Sequence, residues 1–149
     1  MTSIAIMNAK GGVGKSTLTM AIAETLASYH GKSVLLIDAD GQMSLSLMVM
    51  PVAKLNDVRH SSRSITGWLT GAVLGDAPMD WRECIIGDAS DVDDARNLFI
   101  LPGDMDLTLV EREITAKGAI GALRRACRQL LEEASKHVDF VLKIGRAHV

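Results

Sequence analysis

A short apolar run, Ser3 to Asn8, leads directly into Lys10-Gly11-Gly12-Val13-Gly14-Lys15-Ser16, and from Ser16 to Tyr29 the apolar residues fall at helical spacing. A strand that breaks at glycines and reopens as a helix lets successive backbone N–H groups turn inward around phosphate oxygens, because glycine tolerates the left-handed backbone such a loop needs. The helix N-terminus brings partial positive charge to the same point. The side chains complete the arrangement. Lys15 is placed to neutralise β- and γ-phosphates, the Ser16 hydroxyl to ligate Mg2+, and Thr17 to reach the α-phosphate. The expected ligand is ATP with magnesium, held by residues 10–17.

The rest of the chain alternates between strand and helix patterns. Leu18, Ile22, Leu26 and Tyr29 mark the buried face of the first helix, which Gly31 ends. Ser33 to Asp38 is continuously apolar, as in a strand covered on both faces of a parallel sheet. The Met- and Leu-rich stretch from Met43 to Met50 reads as core or dimer packing. From Val52 to Asp94 the pattern weakens. Ile65–Leu69 and Trp81–Ile86 look like short helices, and Asp88, Asp91, Asp93 and Asp94 like a solvated loop. Asn97 to Pro102 predicts a strand, and Leu107 to Ile114 a helix capped by Asp104 or Asp106. Lys117 to His137 predicts a long helix. Ile120, Leu123, Cys127, Leu130 and Ala134 share one face of it, which makes Cys127 a small buried hydrophobe, and Arg124, Arg125 and Arg128 lie largely off that face. Asp139 to Leu142 opens a last strand. This order predicts an α/β fold, a mainly parallel sheet with helices on both faces.

Composition removes several classes. Aromatic residues make up 3% of the chain, so the core must be aliphatic. The formal net charge of -2 argues against coating nucleic acid by bulk charge. No apolar run reaches membrane-spanning length, and no basic segment followed by an apolar one opens the chain, so a cytoplasmic location is expected. Cys84 and Cys127 stand in no metal-ligand spacing and read as reduced thiols.

Asp38 and Asp40 fall at the carboxyl end of the second strand, the edge of an open α/β sheet where ligands bind. Residues two apart share a strand face, so both carboxylates can meet the phosphates, one serving the magnesium shell and the other orienting the attacking water. The glycine loop also departs from the common phosphate-loop pattern: Ala9 stands where a first glycine is usual, and Lys10 follows it. NAKGGVGKST, followed a helix later by VLLIDADGQ, resembles the ParA/MinD family of ATPases with a deviant Walker A box, most closely the ParA-type partition ATPases. Softer matches over NLFILPGDMDLTLVEREI and VDFVL extend the resemblance from about Ser3 to Leu142.

The resemblance implies a P-loop ATPase fold and a set of roles. Lys10 would reach across a nucleotide-sandwiched homodimer to the partner's phosphates. The family's D-x-D-x-Q pattern falls on Asp38, Asp40 and Gln42, giving Asp40 the nucleophilic water and Asp38 the magnesium shell. Lys10, Lys15 and Asp40 are then the catalytic candidates. Gly41 replaces the proline usual before the glutamine. The implied function is an ATP-driven dimerisation switch for plasmid or chromosome partition, with non-specific DNA and a centromere-binding protein as partners and the nucleoid as its place. A MinD-like positioning ATPase, a bacterial tyrosine kinase-like protein and an inactive nucleotide-binding fragment are the alternatives. An iron–sulfur reductase is disfavoured by the setting of the two cysteines.

After Leu142 the family pattern stops. Residues 143–149, Lys-Ile-Gly-Arg-Ala-His-Val, match the translation of a common sequencing adapter. Residues 1–142 are therefore read as the N-terminal part of a P-loop ATPase domain, and 143–149 as a non-native tail. Lys143 would also be costly inside a buried strand unless paired. The resemblance places the Asp139–Leu142 strand beside Ser3–Asn8 and leaves the other side of Ser3–Asn8 as an open edge.

Overall fold

A computed structural model describes residues 1–75 and 79–146. Four strands form one parallel sheet: β1 (Thr2–Met7), β2 (Val34–Ala39), β3 (Leu98–Leu101) and β4 (Phe140–Gly145). Their spatial order is β1-β4-β2-β3. The helices are α1 (Lys15–Ser28), α2 (Ser44–Val49), α3 (Val52–His60), α4 (Ile65–Leu69), α5 (Leu107–Ala116) and α6 (Ile120–Ala134). A π-helical turn at Thr70–Leu74 and a 3-10 turn at Trp81–Cys84 complete the described elements.

The apolar run of β2 is buried on both faces, and the sheet divides the core into two layers. Val34 and Leu36 face the layer built by α1, α2 and α3, which holds Met20, Ala23, Leu45 and Leu55. Leu35 and Ile37 face α4, α5 and α6, against Trp68, Leu107 and Leu130. This is the period-2 alternation of a central strand with helices above and below. β4 lies between β1 and β2, with Thr2 opposite Phe140 on one side and Val34 opposite Phe140 on the other. β1 thus has the neighbour that the resemblance implies. Its far side carries no strand among the described residues, and Ile4 and Met7 stand 38% and 57% exposed.

Several expectations need correction. In α1 the buried residues are Thr19, Met20, Ala23 and Ala27, whereas Leu18 and Tyr29 are exposed. The two alanines and Met20 are buried, Ile22 and Leu26 pack partly against the same layer, and only Leu18 and Tyr29 stand off it. α6 is shorter than expected and buries only Leu130 and Ala134 fully, while Ile120 and Cys127 are exposed. Its fully buried residues lie in the C-terminal half, while Leu123 and Ala126 pack only partly against the second core layer. α3 forms where the sequence pattern is weak; only Leu55 and Val58 are buried, and Arg59 and His60 complement its C-terminal dipole. β4 continues past Leu142 through Lys143, Ile144 and Gly145, which pair with both neighbouring strands. Lys143 is half-buried and borders an apolar cavity of about 250 Å3, also lined by Ile37, Leu123 and Cys127. Residues 147–149 of the expected tail lie outside the described residues.

Candidate phosphate-binding site

The loop between β1 and α1 is built by left-handed glycines. Gly12 and Gly14 have φ of 71° and 84°, which other residues adopt only with strain. A Cβ at either would meet nothing within 4 Å, so the loop encloses open space. Gly14 is the N-cap of α1 and provides no side-chain cap, so the first N–H groups of the helix keep their donors for a ligand. Lys10, Gly11, Gly12, Val13 and Gly14 are all exposed; Lys15 and Ser16 are half-buried and Thr17 is exposed. The Lys10 N–H donates to Asn8 Oδ1 at 3.0 Å, which closes the entry to the loop.

Lys15 is the centre of the local electrostatics. Its Nζ donates to the Asn8 carbonyl at 3.1 Å, the Gly145 carbonyl at 3.3 Å and Asp40 Oδ2 at 3.4 Å. It bridges the ends of β1 and β4 and pairs with Asp40 at the end of β2. Asp40 also accepts from Gln42 N–H at 3.1 Å, and Arg146 Nε lies 3.8 Å from its Oδ1. Gln42 reaches the loop, since a Cβ on Gly11 would lie 3.9 Å from its Oε1.

Asp38 sits differently. It is wholly buried, its Oδ2 accepts from the Ser46 hydroxyl at 2.6 Å and from Ser46 N–H at 2.9 Å, and its Oδ1 accepts from Asp40 N–H at 3.4 Å. Burial pushes its pKa up to about 6, against the opposing pull of the Ser46 hydrogen bonds. Strand alternation does set Asp38 and Asp40 on one face, yet only Asp40 contacts Lys15 directly; Asp38 acts on the turn that carries Asp40.

A second buried carboxylate, Asp104, follows Gly103, the residue whose backbone lies against Asp38. Asp104 accepts from Ser64 and Thr66 hydroxyls at 2.8 Å each, from Arg59 Nε at 3.0 Å and from Asp106 N–H at 3.0 Å. Burial acts to raise its pKa, but these hydrogen bonds outweigh it and hold the carboxyl below the usual range. Asp104 therefore ties α3 and α4 to the end of β3. Asp106 is the N-cap residue of α5 but makes no side-chain cap bond, which corrects the expectation that either aspartate caps that helix.

These residues fit a nucleotide phosphate with a divalent cation. The loop offers open space and free backbone donors, Lys15 supplies a cation, and the Ser16 hydroxyl makes no hydrogen bond among the described residues. Sequence reasoning missed Ser46 and Gly103, because a serine within a Met- and Leu-rich helix carries no motif. It missed Asn8 as a brace for Lys15 because a backbone carbonyl leaves no trace in the residue type.

Comparison with known proteins agrees with this geometry. A family model described as an AAA domain matches residues 1–143. The chromosome partitioning protein ParA of Caulobacter vibrioides is 34% identical over 111 residues, 74% of this chain and 35% of that protein. The structure of pNOB8 ParA bound to nonspecific DNA superposes with a TM-score of 0.66 at 25% identity, over 97% of this chain and 46% of that one. Cobyrinic acid a,c-diamide synthase from Mycobacterium smegmatis, with bound ATP analog and magnesium, gives a TM-score of 0.65 at 26% identity, over 96% and 50% of the two chains. The chain spans about a third of the length of the curated relative, 35%, and about half that of these solved structures. By the matched family model, the sheet order and the glycine loop, the chain belongs to the AAA-domain family, within the group of ParA-type P-loop proteins.

Proposed function

We propose that this protein is an ATP-binding and ATP-hydrolysing dimerisation switch of the ParA type, serving plasmid or chromosome partition. The observation that carries the reading is Lys15, held at the mouth of an open glycine loop and paired with Asp40. Arriving phosphate competes for Lys15 and draws it from Asp40 and the two carbonyls, which releases Asp40 to orient the attacking water. Backbone N–H groups of residues 11–17 hold phosphate oxygens, and the Ser16 hydroxyl holds magnesium. When bound, the metal polarises the phosphoryl oxygens as a Lewis acid. In the arrangement described Asp38 holds Ser46 through Oδ2, and its Oδ1, which takes only the long Asp40 N–H bond, is the oxygen that could serve the magnesium shell.

Lys10, exposed at the loop entrance, suits the cross-subunit role in an ATP-bound homodimer. Non-specific DNA and a centromere-binding protein are the proposed partners, and the cytoplasm, at the nucleoid, is the proposed location. No helix among the described residues is long and apolar enough to cross a membrane. In the same reading residues 1–142 form the N-terminal part of a P-loop ATPase domain, and residues 143–149 are a non-native tail.

The test is titration of a fluorescent ATP analogue with Mg2+, combined with sedimentation. Lys15→Ala is expected to abolish binding. Lys10→Ala keeps nucleotide binding but loses the ATP-dependent dimer. Asp40→Ala binds ATP and accumulates as dimer while turnover falls. Wild-type affinity in Lys15→Ala would refute the site, and wild-type dimerisation in Lys10→Ala would refute the cross-subunit role.

A further inference from the structure

A chain of hydrogen bonds, buried from Gly103 through Asp38 and half-buried at Asp40, runs from the end of β3 to the glycine loop. The Ser46 hydroxyl, with no exposed surface, accepts from Gly103 N–H at 2.8 Å and donates to Asp38 Oδ2 at 2.6 Å. An N–H group can only donate, so the single hydroxyl proton is committed to Asp38. Asp38 Oδ1 then takes the Asp40 N–H, and the Asp40 carboxylate takes Lys15 and Gln42 N–H. Gly103 braces Asp38 from behind: a Cβ there would stand 2.9 Å from Asp38 Cγ and 3.0 Å from Oδ2. In a helix otherwise apolar on its buried side, alanine at position 46 would serve packing equally well. A buried hydroxyl is costly unless both its donor and its acceptor are used, and here both are.

We propose that Ser46 is a positioning residue for the nucleotide site: anchored by Gly103, it fixes Asp38 and, through the Asp38–Asp40 turn, the aim of the Asp40 carboxylate. The inference rests on the reading that this site binds and hydrolyses ATP. Ser46 touches neither nucleotide nor water in it, so its loss acts on orientation and leaves the phosphate donors of the loop in place.

The experiment uses the full chain and three variants, Ser46→Ala, Gly103→Ala and Ser46→Thr. Two readouts are taken: steady-state ATP turnover, and amide proton–nitrogen spectra of the nucleotide-free protein. Ser46→Ala and Gly103→Ala are expected to lower kcat at least about tenfold with KM within about twofold, since misaim of a catalytic group spares binding. The Asp40 and Gln42 amide signals move in both variants. Ser46→Thr, which keeps the hydroxyl, restores kcat and the two amide positions. Wild-type kcat with unmoved amides in Ser46→Ala overturns the proposal, as does failure of threonine to restore what alanine loses. If Ser46→Ala does not fold, Gly103→Ala decides alone, because it displaces Asp38 with the hydroxyl still present. If the wild-type chain turns over no ATP, the functional reading falls, and the amide spectra still decide whether Ser46 sets the Asp40 turn.

Discussion

Replacing Asp38 by asparagine should stabilise the protein at neutral pH. Asp38 is wholly buried and its pKa is raised from 3.8 to about 6. Between those two values the folded chain binds more proton than the unfolded one, so stability falls as pH rises through the window. The loss is complete above about 6 and absent below the unfolded value. About two units at 1.36 kcal/mol each amount to about 3 kcal/mol. Asparagine keeps an acceptor for the Ser46 hydroxyl and N–H but turns an amide donor toward the Asp40 N–H. Giving up that weak 3.4 Å bond costs about 1 kcal/mol. The net expectation at pH 7.5 is a gain of about 2 kcal/mol, or roughly 4–8 °C in Tm for a chain of this size. Urea unfolding of both proteins, followed by circular dichroism from pH 4 to 8, measures it. The two stability curves should converge near pH 4 and separate through pH 6. Curves that stay parallel across the range would show that Asp38 carries no such burden and would refute the argument from its burial.

Asp104 should behave with the opposite sign, because its pKa is held down: its contribution is present above the ordinary carboxylate range and lost as pH falls through its lowered value. Asp104→Ala, which leaves Arg59 only its longer 3.6 Å pair with Asp106 and strips the Ser64 and Thr66 hydroxyls of their acceptor, should cost about 3 kcal/mol at pH 7 in the same unfolding assay. Thiol labelling of the native protein should modify Cys127 and spare Cys84, which is wholly buried and whose pKa burial pushes up to about 11; equal labelling of both would contradict the packing of the second core layer. In hydrogen exchange, β1 amides should lose protection well before those of β2, which is flanked on both sides; equal protection would mean that the outer edge of β1 is covered.

The sheet was legible because its strands are short unbroken apolar runs, and Val34–Ala39 shows this best: every residue through Asp38 is buried, as expected of a strand covered twice. The loop was legible because glycine has few other reasons to recur at such spacing before a helix. The helices were harder. α1 packs through alanines and a threonine, so its true face is nearly invisible to a count of large apolar residues. α6 has a strongly one-sided sequence, yet only Leu130 and Ala134 in its later turns are fully buried, and periodicity cannot say where along a helix burial is deepest. α3 was missed because two buried side chains suffice to hold it. In the site, charge and motif exposed Lys15 and Asp40. The buried partners Ser46, Gly103 and Asn8 act through a hydroxyl and backbone groups, whose use depends on tertiary placement.

The pairing of β1 with β4 also sets an order of assembly. Thr2 finds its partner at Phe140, so β1 cannot join the sheet until β4, far downstream, has been made. β2 and β3 with their helices can condense while the chain is still being synthesised, but a contact between such distant segments carries the largest closure entropy in the molecule. The phosphate loop is thus made well before it can be shaped, and a growing chain has no formed nucleotide loop until β4 has emerged and docked.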